Sequence, residues 1–140
     1  MSVEIRRAGR SDAKLFERVA DDVFDYAVDP VILADYLATP GHHLVVAIAD
    51  GEVVGQAAAV LHKHPDERPV ELYIDELAVA PPFRRQGVAR LMLDELFALG
   101  RELGCHEAWV GTEHDNIAAT SLYASREAPA EPFVMYVFAL

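Results

Sequence analysis

Asp50-Gly51 divides an apolar stretch into two runs, His43 to Ala49 and Glu52 to Leu61. An Asp-Gly pair accepts the positive φ angles of a tight hairpin turn, so the two runs are expected to fold back on each other as antiparallel strands. Val70 to Val79 reads as a further strand, stopped by Pro81-Pro82. The pattern then changes period. Between Gly87 and Leu103, apolar Val88, Leu91, Met92, Leu96, Leu99 and Leu103 recur at about helical spacing. Gly104 is placed to end that helix.

The flanks extend the pattern. Val3 to Arg6 is a short first strand. Ser11-Asp12 suits a cap for a helix carrying Leu15, Phe16, Val19, Val23 and Tyr26. Pro30 opens a second helix, which Thr39-Pro40-Gly41 closes. Glu107 to Thr112 reads as a strand, Asn116 to Ser125 as a short helix, and Phe133 to Leu140 as a final strand. The order is β-α-α-β-β-β-α-β-α-β: one α/β domain over residues 1–140, with a mixed, mostly antiparallel sheet flanked by helices.

Composition narrows the function classes. With 52% hydrophobic residues the chain can bury a core and is not disordered. Lys and Arg number 12 against 23 Asp and Glu, a net charge of −11. This argues against a nucleic-acid partner and for attraction of cations. No apolar run reaches the roughly 18–20 residues of a membrane span, so no membrane partner is expected. The N-terminal MSVEIRRAGR lacks the apolar core of a secretory signal, and the single Cys105 cannot form an internal disulfide, so a cytoplasmic location is expected. Cys105 reads as a small core side chain.

Arg84-Arg85-Gln86-Gly87-Val88-Ala89 lies between a strand and the long helix. Amides at a helix start lack intrahelical partners and sit at the positive end of the helix dipole, so they can hold a phosphate. Gly87 removes a Cβ where a phosphate must approach, Ala89 keeps the next turn small, and Arg84 and Arg85 add local positive charge. The Gly-Lys-Ser/Thr ending of a Walker loop is missing.

The stretch Ile74 to Ala89 resembles the signature of the GCN5-related N-acetyltransferases, whose Gln/Arg-x-x-Gly-x-Gly/Ala pattern is filled by Arg84, Gly87 and Ala89. Asn116-x-x-Ala119-x-x-Leu122-Tyr123 is similar to the family's downstream helix. Within the family the chain most resembles the aminoglycoside 3-N-acetyltransferases, which also end in a Met- and aromatic-bearing strand like Phe133 to Phe138. One departure stands out. The family usually continues after the Tyr to a Gly-Phe pair. Here Tyr123 is followed by Ala-Ser-Arg-Glu-Ala-Pro-Ala-Glu-Pro.

The resemblance implies direct acetyl transfer from acetyl-CoA to a primary amine of a small cationic acceptor, with aminoglycosides among the candidates. It implies that Arg84, Arg85, Gln86, Gly87, Val88, Ala89 and Arg90 hold the pyrophosphate. Leu77, Ala78 and Val79 would offer main-chain groups to the pantetheine arm, with the Val79 N–H as oxyanion donor. Asn116, Ala119 and Tyr123 would complete the cofactor site. Tyr123 would protonate the departing thiolate, since a phenol with a pKa of about 10 is protonated at neutral pH. A protonated amine needs a general base, for which Glu76 is expected, with Asp75, Glu113 and Asp115 as alternatives. Regular alternation sends Asp75 and Glu76 to opposite faces, so only one is expected to reach the site.

Other readings remain open: acetylation of a protein or peptide amine, or a non-catalytic acetyl-CoA-binding module. A homodimer is expected, because family members often dimerise and the apolar final strand can contribute. No metal is expected, because His62-x-His64, His106 and His114 lack the usual ligand spacings. The loop from His62 to Pro69 is expected to border the acceptor site.

Overall fold

The computed structural model describes residues 2–140. Its five strands are β1 (Glu4–Arg7), β2 (His42–Ala49), β3 (Glu52–His62), β4 (Glu71–Val79) and β5 (Ala108–Val110), and they lie side by side in sequence order. The first three pairings are antiparallel, and β5 joins β4 in parallel. The β2–β3 hairpin turns at Asp50 and Gly51, with φ of 48° and 76°, as the Asp-Gly pair predicts.

Helix α1 (Pro30–Ala38) starts where Asp29 accepts hydrogen bonds from the Val31 and Ile32 amides at 2.8 and 3.0 Å. Helix α2 (Val88–Glu102) buries Val88, Met92, Leu93, Leu96 and Leu99 against the sheet. A Cβ on Gly55 would stand 3.0 Å from the Met92 side chain and 3.2 Å from the Ala78 carbonyl, so β3 needs a glycine where α2 crosses it. Helix α3 (Ile117–Ser125) is tied to α2 by Arg90–Ser125 and Arg126–Asp94 contacts of 3.0 and 2.6 Å. Cys105 is buried, and burial raises its thiol pKa, as suits a core side chain.

Two expected elements are corrected. The helix expected from Ser11 to Tyr26 is a 3₁₀ helix only over Arg10–Glu17, with Asp12 accepting from the Gly9 amide. Beyond it the backbone turns to β3. The Val53 amide donates to the Arg18 carbonyl and the Ala20 amide to the Val53 carbonyl, both at 2.9 Å. Asp22 adopts φ of 63°. These tertiary bonds outweigh the helical spacing of the apolar side chains.

The second correction is the final strand. Phe133 to Leu140 pairs with no strand among the described residues. Phe133, Val134, Met135, Tyr136, Val137 and Phe138 are 68–83% exposed. Alternation gives a segment strand character, but a strand needs a partner, and this segment pairs with none among the described residues.

The missing Gly after Tyr123 has a defined outcome. The Glu127 amide donates to the Ala124 carbonyl, and the Ala128 amide to the Tyr123 carbonyl. That is a Schellman closure with Glu127 at φ of 60°, the position that favours glycine. A left-handed non-glycine residue costs about 1–2 kcal/mol. Glu127→Gly is therefore expected to raise stability by about 1 kcal/mol, part of the relief being offset by the greater freedom of glycine in the unfolded chain. Denaturant midpoints of the two proteins check it.

Candidate active site

The site begins with an interrupted pairing. β4 meets β5 only from Leu72 to Ile74, so Asp75 to Val79 leave their outer edge without a partner strand among the described residues. The Ala80 amide donates across to the Val54 carbonyl of β3 at 2.8 Å. Backbone groups alternate along a strand, so those of Val79 and Leu77 face the open edge. The Val79 carbonyl is taken by Arg84 Nε at 2.8 Å, which leaves the Val79 N–H. Ala78 lies between Leu77 and Val79: its register partner is Gln56, and its backbone groups face β3.

The open edge leads into the start of α2. Pro81–Phe83 form a 3₁₀ turn, after which Arg85 and Gly87 adopt φ of 61° and 79°. No side chain caps α2, so the amides of Val88, Ala89 and Arg90 lack partners within the helix. A Cβ built on Gly87 meets nothing within 4 Å, so the space above this turn is open. Three side chains of the segment are engaged: Arg84 with Val79, Gln86 with the Pro82 carbonyl at 2.9 Å, and Arg90 with Ser125. Arg85 is exposed and makes no hydrogen bond or ion pair among the described residues, which leaves it as the free cation of the loop.

Asn116 caps α3, its Oδ1 accepting from the Ala119 amide at 3.1 Å. Its side-chain amide nitrogen stays available. Tyr123, in the last turn of α3, is half-buried against the core, and burial raises its pKa, which keeps the phenol protonated at neutral pH.

The carboxylates converge differently from the expected pattern. Ala58 pairs with Glu76 and Ala59 with Ile74, so Asp75 is an extra residue in a β-bulge. The bulge breaks the alternation that sent Asp75 and Glu76 to opposite faces. Both line one cavity of about 190 Å³, with Asp25, Gln56 and Val23. Glu113 and Asp115, the other candidate bases, do not line it. The Glu76 carboxylate accepts from Gln56 Nε2 at 2.9 Å. Its pKa is raised, mainly by partial burial and further by Asp75 and Asp25, against the lowering effect of the Gln56 bond. Tyr36 stands close enough for its pKa to be pushed up to about 12, by burial first and then by Asp75 and Glu76. The loop after β3 enters β4 at its opposite end and does not border this cavity, contrary to expectation.

Sequence reasoning missed Gln56, Asp25 and Tyr36. Gln56 carried a signal: it is the one polar side chain between Val53 and Leu61. It is 2% exposed, donates to both the Val23 carbonyl and Glu76, and leaves its Oε1 without a partner.

The raised Glu76 pKa implies a sign for stability. A group titrating higher in the folded state contributes stability that is full below its unfolded pKa and is lost as pH rises through the folded value. Glu76→Gln keeps an acceptor for Gln56 and removes the charge. The variant is expected to be more stable than the parent at pH 7. The gain should shrink as pH falls through the window between the raised and the ordinary carboxylate pKa. Denaturant midpoints at neutral and acid pH measure it.

Comparison with known proteins identifies the family. The Acetyltransferase (GNAT) family model matches residues 10–127. An uncharacterized N-acetyltransferase of Mycobacterium tuberculosis is 30% identical over 91 residues, which are 65% of this chain and 55% of that protein. An aminoglycoside N(6')-acetyltransferase type 1 of Salmonella typhimurium is 28% identical over 99 residues, 68% of this chain and 64% of that one. The chain thus spans little more than half the length of the first of these relatives. Among solved structures, an aminoglycoside acetyltransferase from an uncultured soil metagenomic sample in complex with sisomicin has a TM-score of 0.82 at 19% identity, covering 99% of this chain and 95% of that one. The aminoglycoside N-acetyltransferase AAC(6')-Iy in complex with CoA has a TM-score of 0.78 at 19% identity, with the same coverage of 99% and 95%. The aminoglycoside resemblance therefore holds for that group of enzymes broadly, while the Salmonella relative is named for the 6' position. With a family match running through the open β4 edge, the uncapped α2 start and Tyr123, the chain belongs to the acetyltransferase (GNAT) family.

Proposed function

We propose that the chain transfers the acetyl group of acetyl-CoA to a primary amine of a small cationic acceptor. The observation that carries this reading is the open outer edge of β4 running directly into the uncapped start of α2. An extended pantetheine arm can pair with the outward groups of Leu77 and Val79, as an added strand would. The pyrophosphate can then take the free amides of Val88, Ala89 and Arg90, with Arg85 beside it. Structures of the same fold have been solved with CoA and with a CoA bisubstrate analogue, which supports acetyl-CoA as the co-substrate.

The chemistry follows from the cavity. Glu76, a stronger base for its raised pKa, takes a proton from the acceptor ammonium directly or through a water. The amine nitrogen attacks the thioester carbonyl, and the Val79 N–H receives the charge that develops on oxygen. The C–S bond then breaks, the departing thiolate takes the Tyr123 proton, and the proton still carried by the acylated nitrogen passes to the phenolate, directly or through water, leaving a neutral amide and a protonated Tyr123. Asp25 and Asp75 stay as counter-charges for a cationic acceptor. Aminoglycosides lead the acceptor candidates because they are polycations and because the Salmonella relative is named for acetylating one. A cytoplasmic location belongs to the same reading, because the co-substrate is an intracellular metabolite.

The working unit in this reading is a homodimer. Phe133 to Phe138 and Leu140 present on the order of 1,000 Å² of side-chain surface to water, by the usual sizes of aromatic and aliphatic groups. A standard interface needs roughly 800 Å² per partner. A second copy is the natural cover. Residues 126–132 link α3 to this segment, and Pro129 and Pro132 keep the link extended and unable to continue the helix. β5 offers a free edge, and the Phe133 ring already lies against Gly111 just beyond it. Exchanged segments would give a self-complementary twofold contact.

Two experiments test these readings. Thiol release from acetyl-CoA is measured against aminoglycosides, polyamines, amino acids and short peptides. Turnover is expected on a polycationic amine, with Tyr123→Phe lowering kcat by about tenfold or more at unchanged acetyl-CoA affinity. Turnover on peptides alone would move the acceptor to a protein amine, and tight acetyl-CoA binding without any turnover would favour a binding module. For assembly, light scattering is expected to give twice the chain mass for residues 1–140 and a folded monomer after truncation at Pro132. A monomeric parent at micromolar concentration overturns the dimer.

A further inference from the structure

The opposite end of β4 carries a second cluster of reactive side chains. His62 closes β3 in register with Glu71, the first residue of β4, and His64 follows two residues later. Glu71 Oε2 lies 2.7 Å from His64 Nε2 and 3.6 Å from His62 Nδ1. One ligand atom from each of the three residues falls within 4.8 Å of the others. The His64 side chain is 8% exposed, that of Glu71 21% and that of His62 52%, so the cluster is closed behind and open in front. Trp109, stacked on Tyr73 at 4.2 Å, meets the His62 ring edge-on at 6.5 Å. At about 3.3 Å per residue, the five-residue step from Glu71 to Glu76 puts this cluster roughly 16 Å from the acceptor cavity.

We propose that His62, His64 and Glu71 form a binding site for a borderline divalent cation, with Zn²⁺ the ion of choice. Two imidazoles and one carboxylate, with a fourth position open to water, are a recognised zinc donor set. Bonds of about 2.0–2.2 Å in tetrahedral array place ligand atoms about 3.4 Å apart. The His62–Glu71 separation already fits, and the His64–Glu71 pair, now at hydrogen-bond distance, must open by less than 1 Å. Mg²⁺ and Ca²⁺ prefer all-oxygen shells and are excluded by the imidazoles. The chain's charge of −11 favours cation uptake. The bound ion would pin the β3–β4 ends and order the 63–70 loop between them.

The test uses the untagged chain and ZnCl₂. Titration calorimetry is expected to give one Zn²⁺ per chain with micromolar affinity, and the same Zn²⁺ should raise Tm while MgCl₂ does not. His64→Ala and Glu71→Gln should each weaken binding by about tenfold or more, since even the loss of an outer-shell partner has an effect of that size. His62→Ala, at the exposed position, tests the site without touching the buried side chains and should weaken binding likewise. No Zn²⁺ binding by the folded parent overturns the proposal and leaves His64 and Glu71 as a hydrogen-bonded pair. Binding that persists unchanged in all three variants also overturns it, as uptake elsewhere on an acidic surface. Because Zn²⁺ affinity and acetyl transfer are read separately, failure of one leaves the other standing.

Discussion

The divergence of β5 from β4 is the constraint on which the site depends. A strand's N–H and C=O groups must be met by protein, water or ligand. β4 meets β3 along its whole length, yet β5 only through Ile74. The next residue, Asp75, is the bulge in the register with β3. A bulge bends its strand and increases the local twist. The register slip and the parting of the strands therefore coincide at one point. Beyond it, β4 keeps a rigid inner edge and presents a bare outer one, aimed at the uncapped start of α2. The same bulge turns two neighbouring carboxylates into one cavity. One local irregularity thus fixes both the edge open to an extended ligand and the charge beside it.

Strain gathers around this point. Gln56 is sealed in the sheet with one oxygen unsatisfied, and its amide holds a carboxylate that burial pushes towards the neutral form. Arg85 holds a left-handed conformation beside Gly87. An apolar residue at position 56 would suit the core better, since an orphaned buried acceptor is unfavourable. The residue makes sense as a support for Glu76. Its two N–H bonds, to Val23 and to Glu76, tie the irregular 18–28 segment and the carboxylate into one arrangement. Features that weaken a fold at one place and organise charged groups there are typical of working sites.

Local chemistry was legible in the sequence, and non-local chemistry was not. The Asp50-Gly51 turn, the Pro30 start of α1, the span of α2 and the start of α3 at Asn116 all follow from neighbouring residues, and the structure has each of them. The helix expected through Val23 gave way because β3 bonds to Arg18 and Ala20, partners more than thirty residues distant. The expected final strand has the right composition but pairs with no strand among the described residues. The bulge at Asp75 leaves no mark in Ile74-Asp75-Glu76-Leu77, so the shared cavity of the two acids could not be read from alternation. Gln56 could have been: a lone amide in an apolar strand signals a buried polar contact. The His62–Glu71 pairing was hidden for a related reason. Ligand spacing along the chain says nothing about residues brought together by strand register.

The two ends of β4 are complementary. At its start, β5 is paired, Trp109 stacks on Tyr73, and Glu71 holds two histidines. At its finish the strand is open on one side. An edge that receives a ligand must hold its register when the ligand is absent, because a slip of one residue would turn every side chain to the other face. Contacts at the closed end resist that slip without occupying the open end. Gly55 resists it from behind, where α2 packs so closely that β3 cannot shift against β4 without a clash at Met92 or the Ala78 carbonyl. The open end can therefore lack a partner strand and still be ordered, because its position is set by contacts made elsewhere in the sheet.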